Sequence, residues 1–386
     1  MKLERAILCM VVLTGTLFAA EGPVPSGVRR LDHVFVIMME NHGYSQIVGN
    51  PNAPFANELM KKANAAKNYF AIGHPSLTNY LEVVGASNFG IRSDNNPDWH
   101  NANCQPNLAT GIPNLDAPVS GGDICPISGT GTDAETPAID ASDECTAANP
   151  CNDINGVLSV PAAANTGGKT IADQLAERGR RWKSYQESLP PTGADGVNAS
   201  DGFFTDSSNI PAVLPDQLPT SKSLVKLYAA KHNPFVYFRS VQEGETSGSS
   251  LKNVVGFEGK GGLFDFDPSD TGVQSGLNPA LIYIGDLALR NIVRAIHSSP
   301  VWKQGHNAIV VVWDENDFSS GTNVNRVLAT VDLSHGSHGH SSTRFYTHFS
   351  LTKTLEGGFG LPCLNHACDA DVKVMSDLFD SDEDGR

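Results

Sequence analysis

An α/β domain built on a parallel sheet is predicted by two apolar runs and by the acids that close them. LDHVFVIMMEN holds the unbroken run Val34, Phe35, Val36, Ile37 and Met38, and NAIVVVWDEND holds the second. Unbroken runs of this kind suit strands covered on both faces, as in parallel sheets packed between helices. Glu40 and Asn41 follow the first run; Asp314 and Glu315 follow the second. Ligand sites of open α/β sheets lie beyond the carboxyl ends of the strands. Both strands on one sheet would therefore gather several oxygen donors at one edge, the kind of site that hard divalent cations prefer.

The elements follow in order. Residues 1–20 read as an export signal, with Lys2 and Arg5 before the apolar ILCMVVLTGTLF and small residues in LFAAEG. The run is short for a membrane span, so cleavage and no stable membrane insertion are expected. One domain is expected over 21–372. Residues 55–66 read as a helix, and 76–85 as another. From about 88 to 165 Asn, Asp, Gly and Pro dominate, and Cys104, Cys125, Cys145 and Cys151 fall there. This reads as a loop insertion stapled by disulfides: of the seven cysteines, Cys9 leaves with the export signal, and the even six that remain in an exported chain favour bridges. CTAANPC and CLNHAC are short enough to close locally. TIADQLAERGRRWKSYQES reads as a helix then a strand; SLVKLYAAKHNPFVYF as a helix, a turn and a strand; PALIYIGDLALRNIVRAIHSS as a strand or turn then an amphipathic helix. Residues 373–386 read as a frayed acidic tail.

The formal net charge of −15 on 386 residues excludes a sequence-independent nucleic-acid binder, which needs a basic surface. It leaves anionic substrates open, because a bound cation reverses the local field.

HPSLTNYLEVVGAS gathers His74, Ser76, Thr78 and Asn79 at a helix start. Ser76 there has an ordinary reading as a cap. The alternative is a nucleophile: a helix N-terminus favours a phosphate, and a metal activates a serine hydroxyl. Asn79, one turn on, is then a donor to a phosphoryl oxygen. His232, in KHNPF, is a candidate to steady phosphate or protonate the leaving oxygen, with His74 a second. His335, His338 and His340, in SHGSHGHSS, suggest an extra metal site by composition, but the Gly and Ser around them favour a mobile loop near the site rim. His348 has no assigned role.

Six blocks in order carry a resemblance: VFVIMMENHGYSQIVGN, HPSLTNYLEVVGAS, WKSYQES, KHNPFVYF, SPVWKQGHNAIVVVWDEND and YTHFSLTKTLEGGFGLP. Together they resemble the phosphoesterase family of secreted acid phosphatases and bacterial phospholipases C, nearer the acid phosphatase branch at HPSLTNY. The resemblance implies an alkaline phosphatase-like fold with a central, mostly parallel sheet flanked by helices. It implies one divalent metal ion held by Glu40, Asn41, Ser76, Asp314 and Glu315. Ser76, three residues before Asn79, keeps the nucleophile spacing. Thr78 stands where this branch usually has proline, and the late pair is Asp–Glu, which leaves the metal's identity open. The implied activity is a secreted or periplasmic phosphomonoesterase acting on a small phosphate ester or phospholipid head group. Its alternatives are a phospholipase C or other phosphodiesterase, and a catalytically silent binding protein on the same fold.

Overall fold

The computed structural model describes residues 21–73, 76–89, 169–187, 204–206, 224–226, 232–242, 247–257, 279–316 and 324–380. The expected export segment, most of the insertion with its four cysteines, and His74 lie outside the described residues.

The chain opens with β1 (His33–Met39), α1 (Tyr44–Ile47), α2 (Pro54–Lys62), β2 (Asn64–Phe70) and α3 (Ser76–Gly85). Then come α4 (Ile171–Glu177), β3 (Ser184–Glu187), β4 (Phe204–Asp206), β5 (Leu224–Lys226), α5 (Arg239–Gln242) and β6 (Val254–Phe257). The last part holds α6 (Pro279–Ser298), β7 (Asn307–Trp313), β8 (Arg326–Leu333), β9 (Ser341–Ser342), β10 (Tyr346–Thr347), α7 (His348–Phe359) and α8 (Ser376–Phe379).

The main sheet runs β1-β7-β8-β2-β10, with β9 also on β2. β1 pairs parallel with β7, and β2 parallel with β9 and β10, while β8 runs antiparallel to both β7 and β2. Five strands thus share one direction and β8 opposes them, which is the mostly parallel sheet expected. β7 is buried along its whole length, as its apolar run requires. β1 departs from expectation. It pairs on one side only among the described strands, and Val36 is 38% exposed, so its run is covered on both faces only near its end, at Ile37, Met38 and Met39.

Helix boundaries show where local preference and tertiary packing disagree. The helix read over 55–66 stops at Lys62, and Asn64–Phe70 forms β2. NAAKNYF has little β character of its own; strand neighbours on both sides decide its state. Asp286 of α6 fixes the start of α2, its two carboxylate oxygens accepting from Phe55 N at 2.9 Å and Ala56 N at 2.8 Å. α4 begins with a capping box between Thr170 and Asp173. PALIYIGD is helical from the start, with Pro279 at a position that needs no amide hydrogen. In SLVKLYAAKHNPFVYF the expected helix includes the strand Leu224–Lys226, and the expected strand is a 3-10 turn, Pro234–Tyr237. Pro234 has no N–H for a ladder, and Val236 and Tyr237 instead bury into a small cluster with Leu77, Leu81 and Trp182.

All ten residues of α3 are buried. α7 ties it down: Thr352 Oγ1 donates in the direction of Glu82 O and Val83 O, at 3.1 and 2.9 Å. The Cys363–Cys368 disulfide closes CLNHAC as the spacing suggested. Inside that loop, Asn365 Nδ2 donates to Gly85 O. The expectation of a tail frayed from 373 fails: Met375, Leu378 and Phe379 are buried in the main core, because the last apolar side chains there outweigh the acids between them. No helix among the described residues is long and apolar enough to cross a membrane.

Glu356 of α7 is fully buried; Oε1 accepts from Leu364 N at 2.9 Å, and Oε2 has no partner among the described residues. Burial pushes its carboxyl up to about 9. Between about 4.5, its value in the unfolded chain, and about 9, folding retains a proton that the unfolded chain releases. The contribution of this group to stability is therefore full below that window and falls as pH rises through it. Glu356→Gln should flatten the fall, melting several degrees above the parent at pH 8 and close to it at pH 5. Thermal melts at the two pH values measure it; an equal shift at both would assign the effect to packing.

Candidate active site

β1 and β7 run parallel in register, with Met39 beside Trp313, so the residues after them, Glu40 and Asp314, emerge as neighbours. Asp314 N donates to Met39 O at 2.9 Å and continues the ladder one step beyond the strands. Asn41 then takes a left-handed backbone, φ 55°, which asparagine tolerates better than most side chains. That turn aims Asn41 N at Asp314 Oδ1, 2.7 Å away, and Glu315 N donates to the same oxygen at 2.7 Å. The two polar pairs read from the sequence thus share one sheet edge.

Ser76 reaches this edge from the far side of β8. It begins α3, which follows β2, and its hydroxyl lies 2.8 Å from Glu40 Oε1 and 3.1 Å from Glu315 Oε1. The hydroxyl hydrogen faces acids, which a plain helix cap does not require. Asn79 Oδ1 accepts from Ile72 N at 3.2 Å and Gly73 N at 3.0 Å, and Nδ2 donates to Gly73 O at 3.0 Å and Glu315 Oε2 at 3.2 Å. Both amide hydrogens are used, so donation to a phosphoryl oxygen requires giving one up. In this state Asn79 holds the turn before Ser76 and orients Glu315.

His232 is buried, with Nε2 3.1 Å from Glu40 Oε2. Tyr80, which the sequence reading missed, donates to the same oxygen at 3.1 Å, and its ring lies 5.3 Å from the His232 ring. His232 is therefore turned toward Glu40. Its place one helical turn along from Ser76 is the signal by which Tyr80 could have been found.

His348 gains a position. Its Nε2 donates to Asp314 O at 2.8 Å, and Nδ1 accepts from the Tyr69 hydroxyl at 3.0 Å. Burial pushes the imidazole down to about 4, so it is neutral, and its contacts place the hydrogen on Nε2. His335, His338 and His340 do not stand at the rim. They follow Leu333, which pairs with Ala308 near the start of β7, whereas Glu40 and Asp314 follow its end. The reversal of β8 carries the run to the opposite edge of the sheet, where His338 Nδ1 lies 3.7 Å from Asp332.

Glu40 is 7% exposed, Asp314 0% and Glu315 1%. Burial pushes the Asp314 carboxyl well above the usual carboxylate range, and Glu40 and Glu315 push it further by repulsion. Asp314 Oδ2 and Asn41 Oδ1 are buried without a hydrogen-bond partner among the described residues. Three crowded carboxylates and an amide oxygen are the donor chemistry of a hard divalent cation, so the residues fit the implied metal in kind. In separation they are not yet closed: among the described residues no three His, Cys, Asp or Glu side chains stand as a ready ligand group.

No family model matches the chain. Named relatives do. The chain is 22% identical over 378 residues to phosphatidylinositol-3-phosphatase of Mycobacterium tuberculosis, covering 96% of this chain and 93% of that one. It is 22% identical over 352 residues to acid phosphatase of Aspergillus fumigatus and 22% over 355 to phosphate-repressible acid phosphatase of Penicillium chrysogenum. The matches cover 88% and 89% of this chain, but it spans only 57% and 63% of those two relatives. Among solved structures, a phosphonate monoester hydrolase of Agrobacterium radiobacter aligns with a TM-score of 0.43 at 12% identity, covering 90% of this chain and 77% of that one. An alkaline phosphatase superfamily protein of Vibrio parahaemolyticus aligns with a TM-score of 0.40 at 15% identity, covering 88% and 69%.

Proposed function

We propose that this chain, a relative of the phosphoesterase family, hydrolyses phosphoric ester bonds, with phosphate monoesters as its substrates and Ser76 as its nucleophile. The observation that carries the reading is one serine hydroxyl set between two buried carboxylates at the start of a buried helix, facing the ends of adjacent parallel strands. Named phosphatases matching most of the chain support the reaction class. A relative named phosphatidylinositol-3-phosphatase keeps a lipid head-group monoester within the proposal.

Ser76 Oγ attacks phosphorus. The Oγ–P bond forms as the bond from phosphorus to the substrate alcohol breaks, and the alcohol oxygen leaves with a proton from water. The Oγ proton has carboxylate acceptors within reach, Glu40 the nearer. Phosphoryl oxygens meet the amide hydrogens of the first turn of α3, where the helix dipole favours negative charge. Water then attacks the phosphoserine and releases phosphate; the carboxylate that took the Oγ proton returns it to restore the hydroxyl, and the hydroxide left when the alcohol departed takes the proton that the attacking water gives up. Glu40, Asn41, Asp314 and Glu315, with Ser76 Oγ, would hold one divalent cation. Bound there, it would supply positive charge that lowers the hydroxyl pKa and polarises a phosphoryl oxygen. His232 and Tyr80 steady Glu40, and His348 steadies the Asp314 backbone. Export to the periplasm or medium belongs to the proposal and rests on residues 1–20.

A paired assay tests the reading: p-nitrophenyl phosphate against its bis-ester, each with and without a chelator. Monoester turnover should be lost on chelation, return with a divalent cation, and exceed diester turnover. Faster diester cleavage would move the protein to the phosphodiesterase alternative. No hydrolysis of either ester by metal-supplied protein would favour the silent binding protein.

A further inference from the structure

β8 is the one strand of the main sheet, among those described, that runs against the rest. Its first residues, not its last, therefore lie at the edge where Glu40 and Asp314 stand. The residue just before it, Asn325, sits between the end of β7 and the end of β2 and is 1% exposed. Its side chain spans the gap. Oδ1 accepts from Asn316 N at 2.8 Å, and Nδ2 donates to Gly73 O at 2.9 Å. Its own carbonyl accepts from Ala71 N at 2.9 Å.

Both partners of the side chain belong to segments that carry the site. Asn316 directly follows the acid pair, and Gly73 lies three residues before Ser76. Gly73 is also gripped by Asn79, which in turn donates to Glu315. Asn325, Asn316, Glu315, Asn79 and Gly73 thus form a closed circuit of bonds and peptide links around the approach of Ser76 to Glu315. Gly73 O receives a hydrogen from each of two asparagines far apart in sequence. Any buried asparagine needs partners. This one spends both ends of its amide on the two segments whose separation sets the nucleophile against the acids.

We infer that Asn325 is a positioning residue for Ser76 and Glu315, acting through Gly73 and Asn316 without touching the reacting atoms. The inference rests on the proposed role of Ser76. Displacements of about 1 Å at a reacting group cost roughly 100-fold in rate, so a spacer of this kind should act on kcat more than on KM.

The test uses the full chain, metal-supplied, with Asn325→Leu, Asn325→Asp and Ser76→Ala beside the parent. Asn325→Leu keeps volume and loses both bonds. Asn325→Asp keeps the acceptor for Asn316 N–H and sets an oxygen against Gly73 O. Kinetics on p-nitrophenyl phosphate are scaled to the folded fraction measured by circular dichroism. Both Asn325 variants should lose about 30–100-fold in kcat with KM within about threefold of the parent. Wild-type kcat with a lowered melting temperature would assign Asn325 to the fold and overturn the inference, as would failure of both variants to fold. If those variants turn over normally while Ser76→Ala is inactive, only the positioning inference falls. An active Ser76→Ala removes the nucleophile reading, and the inference with it.

Discussion

Ser76→Ala should abolish phosphomonoester turnover, by about 10⁴-fold or more, while leaving the fold standing. At ~1.4 kcal/mol per tenfold, that loss is roughly 5–6 kcal/mol of barrier. A serine that only capped α3 would behave in the opposite way: its removal would cost about 1 kcal/mol of stability and spare the rate. The two readings therefore separate in one pair of measurements, a melt and a rate. The alanine protein has a reason to keep its melting temperature, because the hydroxyl it loses lies against two buried acids and α3 is secured by Thr352 and Asn365. Thr78, the other hydroxyl in the stretch, is the control. It is fully buried, so Thr78→Val, which keeps the volume, is the fair comparison and should retain most of the activity. An active Ser76→Ala with an inactive Thr78→Val would show that the wrong hydroxyl had been chosen.

Asp314→Asn should separate stability from activity in the same direction. The Asp314 carboxyl is pushed well above the usual range by burial and then by its two acidic neighbours. Without a cation, removing this charge relieves the crowding, so the chelated variant should melt above the chelated parent. Oδ1 keeps its role as acceptor for Asn41 N and Glu315 N, so the local turn is preserved. What is lost is the second carboxylate oxygen, Oδ2, which lacks a partner among the described residues. If that oxygen binds the cation, the metal concentration for half activation should rise and turnover should fall by at least about 100-fold, beyond what a merely supporting group loses. A variant with parental metal content and parental turnover would remove Asp314 from the ligand set.

The main sheet's two signature strands were legible because their composition leaves few alternatives. IVVVW can be satisfied only by full burial, and the polar pairs after Met39 and Trp313 then have to emerge at one edge. The place of Ser76 at a helix start was legible in HPSLTNYLEVVGAS, and the family resemblance, through its spacing to Asn79, singled it out as the candidate nucleophile. The rest was not, for separate physical reasons. NAAKNYF becomes a strand only because β8, β9 and β10 flank it. RVLATVDL does carry strand-forming residues, but nothing local says that it runs against its neighbours. That reversal is what carries the histidine run away from the site and brings Asn325 into it. Tyr80 and His232 meet at Glu40 from distant parts of the chain, and buried amides such as Asn325 carry no motif. PFVYF misleads because proline and two aromatics suit a buried 3-10 turn as well as an edge strand.

A phosphoserine at Ser76 is a covalent species that can be trapped. Metal-supplied protein turning over a ³²P-labelled phosphomonoester is quenched in acid and digested, and the labelled peptide is sequenced. Label should appear on the peptide that begins α3, at Ser76, and be absent from Ser76→Ala. Label on Thr78, or sustained turnover with no labelled peptide on rapid quenching, would rule out Ser76 as the nucleophile.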